Sequence, residues 1–555
     1  MKNKLKYVVL VIGLLSVTNT LQAADYYVGL KGDDNNSGTS PARAWKNISK
    51  VNETQFSAGD GIFFEGGQVF FGSIQFDSDD GGTSKRPITI GSYGRGRAII
   101  SSGQAHGLHA HNCEGLVVKD LIFIGAGRII NTDFSGIFFT KEGLPMKHLN
   151  FFRIDNVDVS GYRNGGIFFK GGNDTDKGFK DIHITNSVLH DNGDKGICIW
   201  TSYNTLTKPN WWPHEDVRIA YCKAYNNSGN AGQKGHTGNG IVISQINRGI
   251  IEYCEAYNNG WLCDDPKSGG PIGIWTWDSK NITIQFCESH HNKSNNKKDG
   301  GGFDIDGGCV NCIIQYNYSH DNHAAGYGIY QFTNARDFKD NIVRYNISEN
   351  DGLVGGYGAV NFWATNSSGG IQNTLVHNNT LYVSPNTGGA GIVDFPADDS
   401  GKTYIHNTKI YNNIIVTAPG KKVVDIPIPS DEWTFNGNCY WTYGDNIKIA
   451  WNKNIYTNLK QWRNKTNQEM LNGNPVGFEA DPKLRKPGYG GTIGDPTRPT
   501  TLSNYKLGPG SPLIDKALNL KSLFKIKPGS RDYYGTTLPQ FSGYDVGACE
   551  ATQKY

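Results

Sequence analysis

Nine short segments of this chain superpose on one position, held in turn by Asn156, Asn186, Cys222, Cys254, Cys287, Asn317, Asn346, Asn378 and Asn412, 29 to 36 residues apart. Their settings are alike, as in RIDNVDVSG, IAYCKAYNN, IQFCESHHN, IQYNYSHDN and KIYNNIIVT. A period of roughly 30 residues marks a solenoid, whose single repeat cannot bury its apolar face without stacking on neighbours. The units are rich in Ile, Val, Phe, Tyr, Gly and Asn and poor in Ala, Leu and Glu, so the coils are built of strands. An Asn at equivalent turns can bond the Asn of the next coil. Cys222, Cys254 and Cys287 read as small buried hydrophobes in the same column.

Residues 1–23 carry Lys2, Lys4 and Lys6, an apolar run from Val8 to Leu15 and Leu21-Gln22-Ala23. This predicts a secretory leader cut after Ala23, and hence a secreted or periplasmic protein without a membrane anchor. With those three lysines set aside, 51 basic residues face 51 acidic ones, a balance that favours neither nucleic acid nor an anionic membrane. The 71 glycines suit a fold with a turn every few residues. Cys309 and Cys312 form a CxxC without partners for zinc, which leaves a local disulfide or two buried thiols.

The expected organisation is a leader (1–23), an N-terminal cap with the first coils (24–110), a continuous solenoid (111–430) and a turn-rich segment (431–555) that covers the last open coil. The opening YYVGLKGDDNNSGTSPARAWKNISKV with AGDGIFFEGG, the Asn-bearing repeats, and the closing LGPGSPLID with YDVGACE resemble secreted right-handed parallel β-helix proteins of the pectate-lyase-like superfamily. The resemblance implies an all-β, right-handed parallel β-helix with caps and a carbohydrate-active function; a monomer is the expected state. That superfamily hosts lyases, glycoside hydrolases, epimerases and non-catalytic adhesins, so activity must come from the site.

A second strand in each coil aligns on a leading glycine: GICIWTS (196–202), GIVISQI (240–246), GIWTWDS (273–279), GFDIDGG (302–308), GIYQFTN (328–334), GAVNFWA (358–364) and GIVDFPA (391–397). Alternation turns Phe303 and Ile305 inward and Trp275, Trp277, Asp304 and Asp306 outward, since burying both carboxylates would be costly. In the last three coils the alternation also allows Gln331, Asn361 and Asp394 to face out. Asp304 and Asp306 have α-carbons roughly 6.5–7 Å apart on one face, a spacing compatible with the carboxyl pair of an inverting glycosidase. On the glycine alignment Tyr330 and Phe332 stand opposite them on the following coil, and Trp200 extends the Trp column. Outward aromatics offer platforms for sugar rings, unless loops cover them as a satellite core.

Asp299 and Asp278 border the same surface, and three or four such oxygens would suit Ca²⁺. A cation clamp and an acid/base pair both remain open at this point. His236 and His291 fall at turns beside neighbouring coils and are candidates for the site. The resemblance bears on the reaction: one branch of pectate lyases carries its proton-abstracting Lys in a GFKLGG-like strand, and here Asp304 stands where that Lys would be. The leading expectation is a glycoside hydrolase of a polysaccharide or oligosaccharide, with catalytic residues among Asp304, Asp306, Asp299 and His236. Trp200, Trp275, Trp277, Asp278, His291 and Tyr330 would bind substrate. The alternatives are a Ca²⁺-assisted polysaccharide lyase, with Lys170 or His236 as base, and a non-catalytic glycan-binding protein.

Overall fold

The computed structural model describes residues 23–553 except 131–132, 144–146, 172–176, 202–210 and 398–401. All of the expected leader but Ala23 lies outside the described residues. No helix among them is long and apolar enough to cross a membrane.

The described chain winds through three long sheets of 14 strands each, visiting them in rotation along the coils, so that within a coil each strand pairs in parallel with the equivalent strand of the next. One coil comprises Lys280–Gln285 in the first sheet, Glu288–His290 in the second and Gly301–Ile305 in the third. Inward-facing residues stack along the axis: Ile241, Ile274, Phe303, Tyr327, Val360 and Ile392 follow one another in register and are fully buried. Each such side chain contributes roughly 1.5–3 kcal/mol by leaving water, and this column supplies the driving force for stacking.

The corner between the first and second sheets is two residues long and explains the sequence repeat. Its first residue adopts a left-handed backbone, as at Tyr253, Phe286, Tyr316 and Tyr345 with φ of 53°, 53°, 59° and 51°. Its second turns inward as the ladder position. Cys254 N–H points at Cys287 Sγ (3.4 Å), Cys287 N–H donates to Asn317 Oδ1 (2.9 Å), and the amides of Asn317, Asn346, Asn379, Asn413 and Asn438 continue the chain to Glu469. The sequence column therefore slips by one residue at its ends. Asn156, Asn186, Asn378 and Asn412 hold the left-handed position (φ 53°, 50°, 51° and 53°), which favours Asn for its own reason, and the ladder passes through Asn379 and Asn413.

A second ladder runs along the corner between the second and third sheets, through Asn227, Asn259, Asn292 and Asn322 to Asp351. All ten cysteines are free and buried, so Cys309 and Cys312 are two separate thiols.

The C-terminal part differs from expectation. One further coil follows residue 430, with Trp433–Asn436, Cys439–Thr442 and Ile449–Trp451 each pairing in parallel. The open end is then closed by the antiparallel strand Asn454–Tyr456 and the helix Leu459–Thr466, whose Trp462 is buried against Trp451 and Phe435. The LGPGSPLID and YDVGACE segments do not cover that end. They run back along the outside of the second sheet, where Leu507, Leu513 and Val546 form a separate core with Tyr318, Ile347 and Ile414. Apolar residues on the outer face of that sheet require this cover.

Candidate active site

The third sheet brings the candidate residues together on its outer face. Trp275 pairs with Asp304 between core pairs Ile274–Phe303 and Thr276–Ile305, so both point away from the interior as alternation requires. On the next coil, Phe303 pairs with Tyr327 and Asp304 with Gly328. The glycine alignment was thus two residues out: Gly328, not Tyr330, stands over Asp304, and Tyr330 lies alongside Asp306. The turn between the strands places Gly326 where Gly302 lies one coil earlier. Tyr330 then pairs with Trp363, and Trp363 with Phe395, which makes an aromatic wall. Of the three ambiguous residues, Asn361 joins the outward column opposite Gly328, whereas Asp394 pairs with the core residue Phe362 and Gln331 is buried at a corner.

Loops that join the second sheet to the third rise as walls above this face. They carry His236, Gly269, Asp299 and Tyr357, and with the floor they enclose a cleft of about 940 Å³. Trp200, Trp275, Trp277, Tyr330, Asp299, Asp306 and His236 all line it. Trp275 is also the centre of a satellite apolar cluster with Phe168, Cys198 and Val242 and is only 5 % exposed; Trp200 and Trp277 are half-buried at its edge. The indole N–H of Trp275 donates to Asn239 Oδ1 (3.0 Å), and its ring stacks on His236 at 5.7 Å between centroids.

The acids divide by depth. Asp306 is half-buried in the cleft, its Oδ1 accepts the Gly307 N–H (2.7 Å), and burial, reinforced by the nearby Asp299 carboxylate, pushes its pKa up to about 7. Asp299 lies opposite on the loop wall. Its Oδ2 accepts the Gly270 N–H (2.7 Å) and its Oδ1 the Tyr357 hydroxyl (3.3 Å). Burial raises the pKa of Asp299 too, while the Gly270 N–H, His236 and Tyr357 favour its anion. Asp304 corrects the sequence expectation: it is 2 % exposed, it does not line the cleft, and its Oδ1 has no hydrogen-bond partner among the described residues. Burial, with Asp306 and Asp299 adding, holds its pKa well above the usual carboxylate range. Alternation assigns a face and says nothing of what is stacked over it.

Two further expectations fail. Asp278 is buried at the end of its strand in an ion pair with Arg336 (2.5 Å), so it is not a binding residue of the cleft. His291 sits at the corner after the second sheet, beside His290 and His320, and does not reach the cleft. Lys170 pairs with Trp200 but lies outside the lining as well. Residues missed from the sequence include Tyr357, Trp363, Phe395 and the lysines at the rim, Lys234, Lys267 and Lys298. Trp363 and Phe395 stood in the aligned strands and were hidden by the register; Tyr357, 58 residues from Asp299 in a glycine-rich loop, gave no periodic signal.

No family model matches the sequence. A crystal structure of a GH136 lacto-N-biosidase from Eubacterium ramulus superposes with a TM-score of 0.51 at 18 % identity, covering 67 % of each chain. The complex of XylC with xylose gives 0.50 at 11 % identity over 96 % of this chain and 99 % of the other. The chain is a parallel β-helix. In sequence, this β-helix is 26 % identical over 529 aligned positions to the lacto-N-biosidase of Bifidobacterium longum subsp. longum, covering 78 % of the chain and 31 % of the relative. The chain thus spans about a third of the length of that curated relative.

Proposed function

We propose that this β-helix is an exported glycoside hydrolase that cleaves an oligosaccharide or polysaccharide in the third-sheet cleft, with Asp306 and Asp299 as its working carboxyls. The observation that carries this reading is that these two acids alone among Asp278, Asp299, Asp304 and Asp306 line an aromatic-walled cleft, and neither is held in an ion pair among the described residues. The similarity to a lacto-N-biosidase supports hydrolysis over elimination.

In this reading Asp306, protonated near neutral pH, gives its proton to the departing glycosidic oxygen as the bond to the anomeric carbon breaks. Asp299, whose anion is favoured by an N–H, a phenol and an imidazole, acts on the anomeric side, directly or through water. The net change adds water across the bond: hydroxyl to the anomeric carbon, proton to the leaving group. Trp277, Trp200 and Trp363 present faces or edges on which sugar rings can stack. Asp304 remains a neutral acid beneath the floor, a positioning residue and not a proton donor to substrate. The carboxyls act as proton donor and acceptor and not as a Ca²⁺ cage, since Asp304 is covered and Asp278 is committed to Arg336.

The test is product analysis by mass on a panel of glycosides, beginning with a lacto-N-bioside because the relative is named for one. Products heavier by one water than the elimination products support hydrolysis; unsaturated products would establish a lyase, and binding without products a non-catalytic role.

A further inference from the structure

A second cluster of functional side chains lies on the second sheet, unused by the cleft. Histidines at equivalent corners of two coils face an aspartate at the following residue: His190 Nδ1 with Asp191 Oδ2 (2.7 Å) and His320 Nδ1 with Asp321 Oδ2 (2.8 Å). In the coil between Tyr257 and His320 the sequence places His291 where that aspartate would be. His290 Nδ1 therefore meets His291 Nδ1 at 2.8 Å, with the rings nearly perpendicular at 85°. Only one proton fits between two such nitrogens, so one of them offers a bare lone pair to the other.

The surroundings prepare those lone pairs for an electrophile. His290 Nε2 faces Glu255 Oε1 (3.3 Å), a contact that places its ring proton on Nε2 and leaves Nδ1 as donor atom, whereas His320 is held by carboxylates at both nitrogens, Nε2 by Glu288 Oε1 (3.2 Å) and Nδ1 by Asp321 Oδ2 (2.8 Å), so its Nδ1 becomes a donor atom only on giving up that proton. Both carboxylates are fixed in turn: Glu255 by Lys223 (2.6 Å), and Glu288 by the backbone N–H groups of Ile493 (2.6 Å) and Gly494 (2.7 Å) in the returning C-terminal segment. Carboxylates that orient histidines in this way are the usual outer support of imidazole metal sites.

We propose that His290, His291 and His320 form a binding site for a divalent transition metal of the Zn²⁺ class, with Nδ1 of His290 and His291 as its core pair. Ring nitrogens of the three residues lie within 4.8 Å of one another. Bonds of roughly 2.0–2.1 Å in tetrahedral array require ligand nitrogens about 3.3 Å apart. The 2.8 Å pair opens to that by rotation of the exposed His291, and His320 closes by tilting out of its stack on His290. On binding, His291 moves its proton from Nδ1 to Nε2, and His320 breaks its contact with Asp321 and passes its Nδ1 proton to that carboxylate or to solvent. Oxygen-preferring Ca²⁺ and Mg²⁺ are poor occupants of such a set.

The test is calorimetric titration of the chelator-treated, dialysed full chain with ZnCl₂, and with CaCl₂ as control, alongside His291→Ala and His291→Asn. The expected result is a Zn²⁺ site that weakens at least about 10-fold in both variants. His291→Asn puts at this left-handed corner the residue that Asn226, Asn258 and Asn350 hold in other coils, so its thermal stability should match the parent and separate loss of a ligand from loss of fold. Co²⁺ in the parent should give visible ligand-field bands that both variants lack. Absence of Zn²⁺ binding, binding unchanged by either variant, or Ca²⁺ bound as tightly as Zn²⁺ would overturn the proposal.

Discussion

Gly328 lies directly over Asp304 in the neighbouring coil, and a Cβ at that position would come within 2.9 Å of the Asp304 carboxylate and 2.6 Å of the Tyr330 ring. The absent side chain makes the space in which the buried acid sits and the Tyr330 ring lies down. Gly328→Ala must therefore push Asp304 or Tyr330, and with them the wall beside Asp306. The expected outcome is a folded protein with kcat/KM reduced about 10²-fold, the scale of a misplaced catalytic group. Unchanged turnover would show that the packing around Asp304 does not position the site.

The division of labour among the three acids has its own test. Asp306→Asn and Asp299→Asn should each lower kcat by about 10²–10⁴-fold. Asp304→Asn, which replaces one neutral group by another of the same shape, should cost less than about 10-fold. Asp306 must be protonated to act, and its pKa stands at about 7. Activity should therefore fall as pH rises through that value, and a pH–rate profile checks the limb. A profile still rising past pH 8 would remove Asp306 from the role of acid.

Much of this arrangement was legible in the sequence, for reasons that also mark where reading stops. The period of about 30 residues and the inward Ile and Phe columns follow from stacking, and alternation correctly put Trp275, Trp277, Asp304 and Asp306 on the outer face. What alternation cannot encode is cover. Asp304 and Asp306 are two residues apart with the same direction, yet Gly328 and Tyr330 close over the first and leave the second open. Glycine served as a poor register mark, because turns of different length precede the strands. The same ambiguity shifted Asn378 for Asn379 in the ladder, since both corner positions accept Asn, one for its left-handed backbone and one for its amide.

Buried acids give the fold a pH dependence of definite sign. Asp351 ends the second ladder, accepting from Asn322 Nδ2 (2.8 Å) and the Ser348 hydroxyl (2.6 Å), and burial raises its pKa to about 7. Its unfolded value is about 3.9. Between those values the folded state keeps a proton that the unfolded chain has lost. Stability from this group is fully present below about pH 4 and is lost as pH rises through about 7. Asp351→Asn keeps the ladder bonds and removes the titration, so it should stabilise the protein by on the order of 2–4 kcal/mol at pH 8 and little at pH 4. Melting curves at the two pH values test this, and an equal shift at both would contradict it.

The first ladder should be far less tolerant where it is made of amides than where it is made of thiols. Asn346 accepts from the N–H (2.9 Å) and Nδ2 (3.1 Å) of Asn317 and donates to Ile314 O (3.0 Å) and Asn379 Oδ1 (3.0 Å), and Asn317 and Asn346 are both fully buried. Asn346→Ala takes the acceptor from the Asn317 N–H and from one of the two Asn317 Nδ2 hydrogens, the other still bonding Ile284 O, and takes a donor from Ile314 O; buried orphans cost about 1–3 kcal/mol each. A loss of about 3 kcal/mol or more is expected. Cys254 occupies the same rung position three coils earlier, where its Sγ makes long contacts with Ile219 O (3.8 Å) and Glu252 O (3.4 Å). Cys254→Ala removes mainly packing and should cost about 1 kcal/mol. Denaturant midpoints of the two variants measure the difference, and equal midpoints would mean that the Asn column adds no more than filled volume.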